Sequence, residues 1–393
     1  MRTPRILAAV LIPAALATLV AMILLWPGHV KAAPNQATGE RALGTVTAIN
    51  KPIAAVRVTD GPGKGTEVTV DIPTGPGAPT LGTGDKVVLL YDPGAVAGGR
   101  PYTVVDHQRA GPMIWLVLAA VLAVLAFGRR LGLTSLAGLG VSFAVLLLFV
   151  VPAILTGENP LLVAVVGSAA IMFAVLYLTH GINAHTSVAV AGTLASLVLT
   201  GLLGAAFTAA LHLTGVAGDD DAFLVVTRGN IDMRGLLLAG VVIGSLGVLD
   251  DVTVTQAATV GELAAAGPGS GRRDLYRAAD RIGRAHVASA VNTLVLAYAG
   301  SSLPLILLLA TDGRPAGQVL TGELLAQEVL RSAVGTIGLV ASVPITTGLA
   351  VLVAGRAGQV GWTGPAGQKG QARTRWANRR SSPRDRSPRH ART

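Results

Sequence analysis

Apolar runs long enough to cross a bilayer recur along most of this chain, and one stretch near its start breaks the pattern. A spanning helix needs about 20 apolar residues. The first run covers 6–26, and seven more follow at 113–127, 133–155, 161–178, 188–211, 235–258, 287–310 and 332–354. They predict about eight transmembrane helices, with Pro152 ending one and Pro304 and Pro344 kinking two others. Between the first two runs the period changes to two. Segments 44–49, 55–59, 67–72, 86–91 and 102–105 read as short strands, with Gly61-Pro62-Gly63-Lys64-Gly65 as a hairpin loop and Gly82-Thr83-Gly84-Asp85 as a turn.

The expected architecture is therefore a membrane all-α protein of about eight spans, with a small extracytoplasmic β-barrel or sandwich inserted between spans 1 and 2. Its parts are an anchor at 1–33, the β domain at 34–109, a seven-helix membrane domain at 110–354 and a tail at 355–393. The first run exceeds the 7 to 15 residues typical of a signal-peptide core, which favours an uncleaved anchor, although Val30-Lys31-Ala32 also reads as a cleavage site. Residues 323–331 form a helical lead-in to the last span whose acids are expected to be solvated.

Composition agrees with that pattern. Hydrophobic residues make up 51% of the 393 and charged ones 13%, where a soluble domain carries about 25%. With no cysteine, disulfides and thiolate metal sites are excluded. The net charge of +10 changes meaning once it is located, because residues 355–393 hold ten Lys or Arg and one Asp. This is a basic, disorder-prone tail without aromatic stacking platforms, so contact with anionic lipid is expected and nucleic acid is not. Arg2, Arg5, Arg129, Arg130, the arginines of 272–284 and the tail fall on one side of an eight-span arrangement, and Asp219-Asp220-Asp221 on the other. Both termini are then cytoplasmic in a plasma membrane, and the β domain is extracytoplasmic.

Candidate chemistry concentrates in 235–263, where an apolar, glycine-rich helix carries Asp250, Asp251, Thr253, Thr255 and Gln256 to membrane depth. A carboxylate there costs about 2.5 to 3.5 kcal/mol, so function is the default hypothesis. At 100° per residue Gly240, Gly244, Gly247, Asp251, Thr255 and Glu262 share one stripe. The three glycines should form the packed face, with Asp251 pointing into the bundle. Asp250 lies about 100° away, so either it has a separate partner or the helix unwinds there. Asn292 and Ser289 lie at a similar depth on the next span. His180, Asn183 and His185 in a short inner loop, with Thr346 and Thr347 after Pro344, form a possible supporting set. Carboxylates, amides, hydroxyls and imidazoles at one level suit an ion or proton site. No third acid completes a DDxxD motif, and HExxH, GxSxG and P-loop patterns are missing.

The stretch Ile231-Asp232-Met233-Arg234-Gly235, continuing from Gly244 through Asp250-Asp251-Val252-Thr253-Val254-Thr255-Gln256-Ala257, resembles the YibE/F-like family of bacterial multi-pass membrane proteins. The loop around Gly181 and Asn183, Gly192-Thr193, and the segment from Gly338 to Thr347 resemble it too. The resemblance covers about 34–354 and implies a plasma-membrane protein with an extracytoplasmic N-terminal domain. It supplies no substrate or reaction. The residues themselves favour a transporter or permease for an ion or small solute, without cofactor or catalysis, whose site is Asp251 supported by Asp250, Thr255, Gln256 and Asn292. The alternative is an envelope assembly or regulatory protein whose β domain binds a partner. Which metal, if any, and which oligomeric state are left open.

Overall fold

The computed structural model describes residues 3–28, 39–94, 100–267, 269–311, 313 and 315–357. Val30-Lys31-Ala32, the first residues of the expected β domain and nearly all of the basic tail lie outside them. Two compact units emerge, one of residues 1–30 with 137–393 and one of 31–136.

In the second unit, β1 (Glu40–Asn50), β2 (Ile53–Asp60), β3 (Glu67–Asp71), β4 (Lys86–Tyr91) and β5 (Tyr102–His107) each overlap one predicted strand. They form a single antiparallel sheet in the order β3-β2-β1-β4-β5. Alternation drives it: Ala42, Val46, Val56, Val58, Val70, Val87 and Leu89 point inward and are fully buried. The sheet curls until β3 approaches β5, where Arg100 pairs with Asp71 and the Tyr102 hydroxyl donates to the Pro62 carbonyl at 3.0 Å. It is one curled sheet and not a two-sheet sandwich. Gly61, Gly63 and Gly65, with φ of 93°, 74° and 88°, carry the β2–β3 hairpin through left-handed backbone that other residues disfavour. His107 fastens a loop, its Nε2 lying 3.0 Å from the Thr80 carbonyl.

The helices begin with α1 (Thr3–Leu24) and resume with α2 (Ala110–Val145), which is not one rod. Arg129 takes φ 49° and ψ −121°. A methyl placed on Gly132 would sit 2.5 Å from the carbonyl oxygen of Val124, eight residues earlier. Eight residues of continuous helix rise about 12 Å, so the chain doubles back here. Beyond a π-helical turn at Leu146–Val150 comes α3 (Val151–Leu155). Pro152 begins this last piece instead of ending the helix, since the wide π turn just before it accommodates a residue without an N–H.

Next come α4 (Pro160–His180), α5 (Ala184–Ala210), the short α6 (Asp219–Thr227), α7 (Met233–Ala266), α8 (Arg272–Ser301), α9 (Leu303–Thr311), α10 (Ala316–Leu320) and α11 (Glu323–Ala357). Among the described residues six helices are long and apolar enough to cross a membrane, or seven if α8 and α9 count as one span bent by 61°. The bend falls at the expected Pro304, whereas Pro344 sits inside an unbroken α11. Asn159 and Asn183 start α4 and α5 by accepting the N–H of Leu162 and Thr186. At the other end of α5, the acid expected to be merely solvated ties elements together. Glu323 Oε1 accepts from the Thr214 N–H and hydroxyl, both at 2.6 Å, from the Gly215 N–H at 3.0 Å and from Gln327 at 3.2 Å. Helices α5, α7 and α11 pack on one another, with α4 and α8 against α7.

Candidate functional site

The interior where α5, α7 and α11 meet is lined with hydroxyls. Thr193, Ser196 and Thr200 of α5, Ser245 and Thr253 of α7, and Ser342, Thr346 and Thr347 of α11 are all buried, together with Gln256. Close approach is made possible by glycines on the partner helices. A methyl on Gly192 or on Gly338 would collide with the hydroxyl of Thr346 or Thr200 respectively, and one on Gly283 of α8 would sit 2.7 Å from Gln256 Oε1.

The direction of the hydroxyl protons gives this seam its chemistry. Thr193, Ser196, Thr200 and Ser245 each reach the carbonyl four residues back, at 3.0, 2.8, 2.8 and 2.6 Å, and Ser342 reaches Leu339 at 2.7 Å. With protons committed to their own helices, the oxygens turn lone pairs toward the space between helices. Two side-chain bonds cross it. Thr193 and Thr253 hydroxyl oxygens lie 2.6 Å apart, and Gln256 Nε2 donates to Thr347 Oγ1 at 2.6 Å and to the Ala279 carbonyl at 3.0 Å. The Thr346 hydroxyl, fully buried, has no hydrogen-bond partner among the described residues.

Of the residues predicted for the site, Thr253, Gln256, Thr346 and Thr347 are in this seam. Asp251 is not: its side chain is 74% exposed, 4.0 Å from His286 Nε2 on α8. Gly240, Gly244, Gly247 and Thr255 are exposed with it. This stripe lies on the exposed side of α7, which buries Leu238, Val242, Leu249, Thr253, Gln256 and Val260 on its other side. The glycines against which the seam side chains pack belong to α5, α8 and α11 instead. Asp250 is partly buried on a helix that continues unbroken, so no unwinding occurs there. Asn292 is exposed on α8 and is not brought to the seam.

The loop residues converge elsewhere. His180, Asn183, His185, Thr186, Ala189, Val254, Ala258 and Glu262 line a pocket of about 150 Å³ between the start of α5 and the second half of α7. His185 is partly buried, with Nδ1 3.4 Å from the Ala257 carbonyl, while the Asn183 carboxamide is spent on capping α5. Among the described residues no group of three or more His, Cys, Asp or Glu is placed to hold a metal ion. Sequence reasoning passed over Thr193, Ser196, Thr200, Glu262 and His286 as site residues. The α5 hydroxyls had a signal, since 186, 193, 196 and 200 recur at helical spacing on one face; His286, among the arginines of α8, had none.

No curated protein and no solved structure matches the chain. The family described as YibE/F-like protein matches residues 116–356, more than half of the 393, and this interval holds the seam, the pocket and the Asp250-Asp251 pair. By that match, the chain is a member of the YibE/F-like family.

Proposed function

We propose that this chain is a permease for a small cation, with the seam between α5, α7 and α11 as its route. One observation carries the reading: a buried column of hydroxyls whose protons are bound to helix carbonyls offers oxygen lone pairs, which attract cations and repel anions. Asp250, partly buried on α7 one turn before Thr253, supplies negative charge in this reading. Asp251, outside it, forms with His286 a separate polar spot on the outer face of α7.

The membrane arrangement belongs to the same proposal. Counting the reversal at Arg129 as a connection between two spans, and α8 with α9 as one, gives eight crossings in a bacterial plasma membrane. Both termini are then cytoplasmic, the β domain extracytoplasmic and the basic tail beside anionic lipid. The test is cation and proton uptake into proteoliposomes by wild type, Asp250→Asn and Asp251→Asn. Flux lost in Asp250→Asn and retained in Asp251→Asn supports the route; no flux of any cation in wild type refutes it.

A second reading, an envelope assembly or regulatory protein, is favoured by one feature of the β domain. A cavity of about 670 Å³ opens beside Ile49, Lys51, Pro52, Ile72, Pro73 and Leu81, of a size to hold a partner's side chains. Under that reading deletion of 39–107 abolishes the cellular role while the Asp250 substitution acts only on stability.

A further inference from the structure

We infer that a groove between the start of α8 and the end of α11 binds an anionic phospholipid, with Arg272, Arg273 and Arg277 holding its phosphate and the α11 wall an acyl chain. This goes beyond the permease reading and stands whatever the seam conducts.

The groove follows from how the two helices pack. Leu275 and Ala279 of α8 are buried in one cluster with Ala350, Val351 and Ala354 of α11. At about 100° per residue, that contact leaves positions 272 and 276 beside it and 273 and 277 farther round on the same side. Arg272, Arg273, Tyr276 and Arg277 thereby make one wall of a cavity of about 330 Å³. Gly348, Val351 and Leu352, which share a face of α11, make the other. Gly348 puts no side chain into the space, and a methyl there would meet no neighbouring group within 4 Å among the described residues.

Charge and depth decide what fits. None of the lining residues is acidic. Among the described residues Arg272, Arg273 and Arg277 form no ion pair, whereas Arg284 of the same helix is held by Asp280 at 2.8 Å. Planar guanidinium groups match phosphate oxygens in pairs, with a geometry that water does not require. The part of α11 apolar enough to cross a membrane runs to Ala354, about 9 Å of helix beyond Gly348. The groove therefore lies where hydrocarbon gives way to a headgroup layer about 5 to 8 Å thick, a level that tyrosine also favours. Arginines that merely face water need no apolar wall opposite them. A molecule with a negative phosphate at one end and hydrocarbon at the other uses both walls, and a zwitterionic lipid brings its own cation against three guanidinium groups.

Full-length protein in a neutral detergent is titrated with phosphatidylglycerol or with phosphatidylcholine of the same chains, and the lipid retained is counted by native mass spectrometry. Wild type should hold phosphatidylglycerol the more tightly, and glycerol phosphate, the anion without chains, should not compete. An arginine beside an anionic headgroup is worth about fivefold in affinity, so Arg277→Gln should cost that much and Arg272→Gln, Arg273→Gln and Arg277→Gln combined roughly a hundredfold. All three side chains are exposed, and melting in lipid-free detergent checks that the variants fold. Gly348→Trp fills the groove while keeping every arginine, and displacing two methylenes of a chain should cost about tenfold. Arg281→Gln, the same loss of charge on α8 outside the groove, should stay near wild type. Equal retention of the two lipids, wild-type binding in the combined arginine variant, or a loss in Arg281→Gln as large as in Arg277→Gln overturns the inference. Competition by glycerol phosphate, or wild-type binding in Gly348→Trp, overturns it as well, since the groove would then hold an anion and no lipid chain.

Discussion

Substituting alanine for Gly192 tests the packing on which the seam depends. The added Cβ would land on the Thr346 hydroxyl and lie 3.1 Å from Thr346 Cβ and 3.3 Å from Cγ2. Rotating the hydroxyl away removes only the first conflict. The Cβ contact is fixed by the two backbones and falls short of the 3.5 to 4.0 Å optimum for carbon pairs, so α5 and α11 must part by about 0.5 Å. Overpacking of this kind costs about 1 to 3 kcal/mol. Thr346→Ala deletes Oγ1 and Cγ2, and because that hydroxyl has no partner among the described residues, no hydrogen bond is lost with it. The double substitution should therefore recover part of the loss, with a coupling of about 1 kcal/mol, inside the range for residues in contact. Unfolding of the four proteins in detergent measures it. Stability of Gly192→Ala equal to wild type, or strictly additive effects in the double variant, would refute the close-packed contact and with it the geometry of the seam.

Gln256→Leu removes the amide donor shared by the Ala279 carbonyl and the Thr347 hydroxyl, and should lower stability by about 1 to 2 kcal/mol in the same unfolding assay; an unchanged midpoint counts against those bonds. In the β domain, bonds from the Arg109 guanidinium and the His107 N–H hold the Asp106 carboxyl below the usual carboxylate range. A depressed folded-state pKa stabilises above the unfolded pKa and ceases to do so as pH falls through the folded one. Asp106→Asn should accordingly lower the melting temperature slightly at neutral pH, and the difference should vanish in acid; a difference constant with pH contradicts the assignment. Tyr102→Phe removes the bond to the Pro62 carbonyl that fastens the β2–β3 hairpin, at about 0.5 to 1.5 kcal/mol, and hydrogen exchange at Lys64 and Gly65 should quicken.

The strands were legible because Val46, Val56, Val58 and Val87 alternate with less buried neighbours, and a period of two leaves little choice of face. The long apolar runs were legible from length. What the sequence hid was direction around α7. Small residues show that a helix can be approached closely, but in a membrane both lipid and protein are apolar, so hydropathy does not say which face is approached. Here Gly192, Gly338 and Gly283 on neighbouring helices accept the larger side chains of the seam, and Gly240, Gly244 and Gly247 of α7 are left exposed. Asp251 went with them. The loop histidines and Glu262 are 77 residues apart between His185 and Glu262 in sequence, and only the packing of α5 on α7 joins them.

The bonds made by Glu323 bear on motion. One carboxylate oxygen holds the backbone just after α5 to the first turn of α11, and farther along the two helices interlock at Gly338 with Thr200 and at Gly192 with Thr346. These contacts, one at an end and two along their length, couple α5 to α11. Under the permease reading, a conformational cycle displaces other helices against this pair, and the break between α8 and α9, bent by 61° and bridged by Ser302 alone, is where such a displacement has room to start.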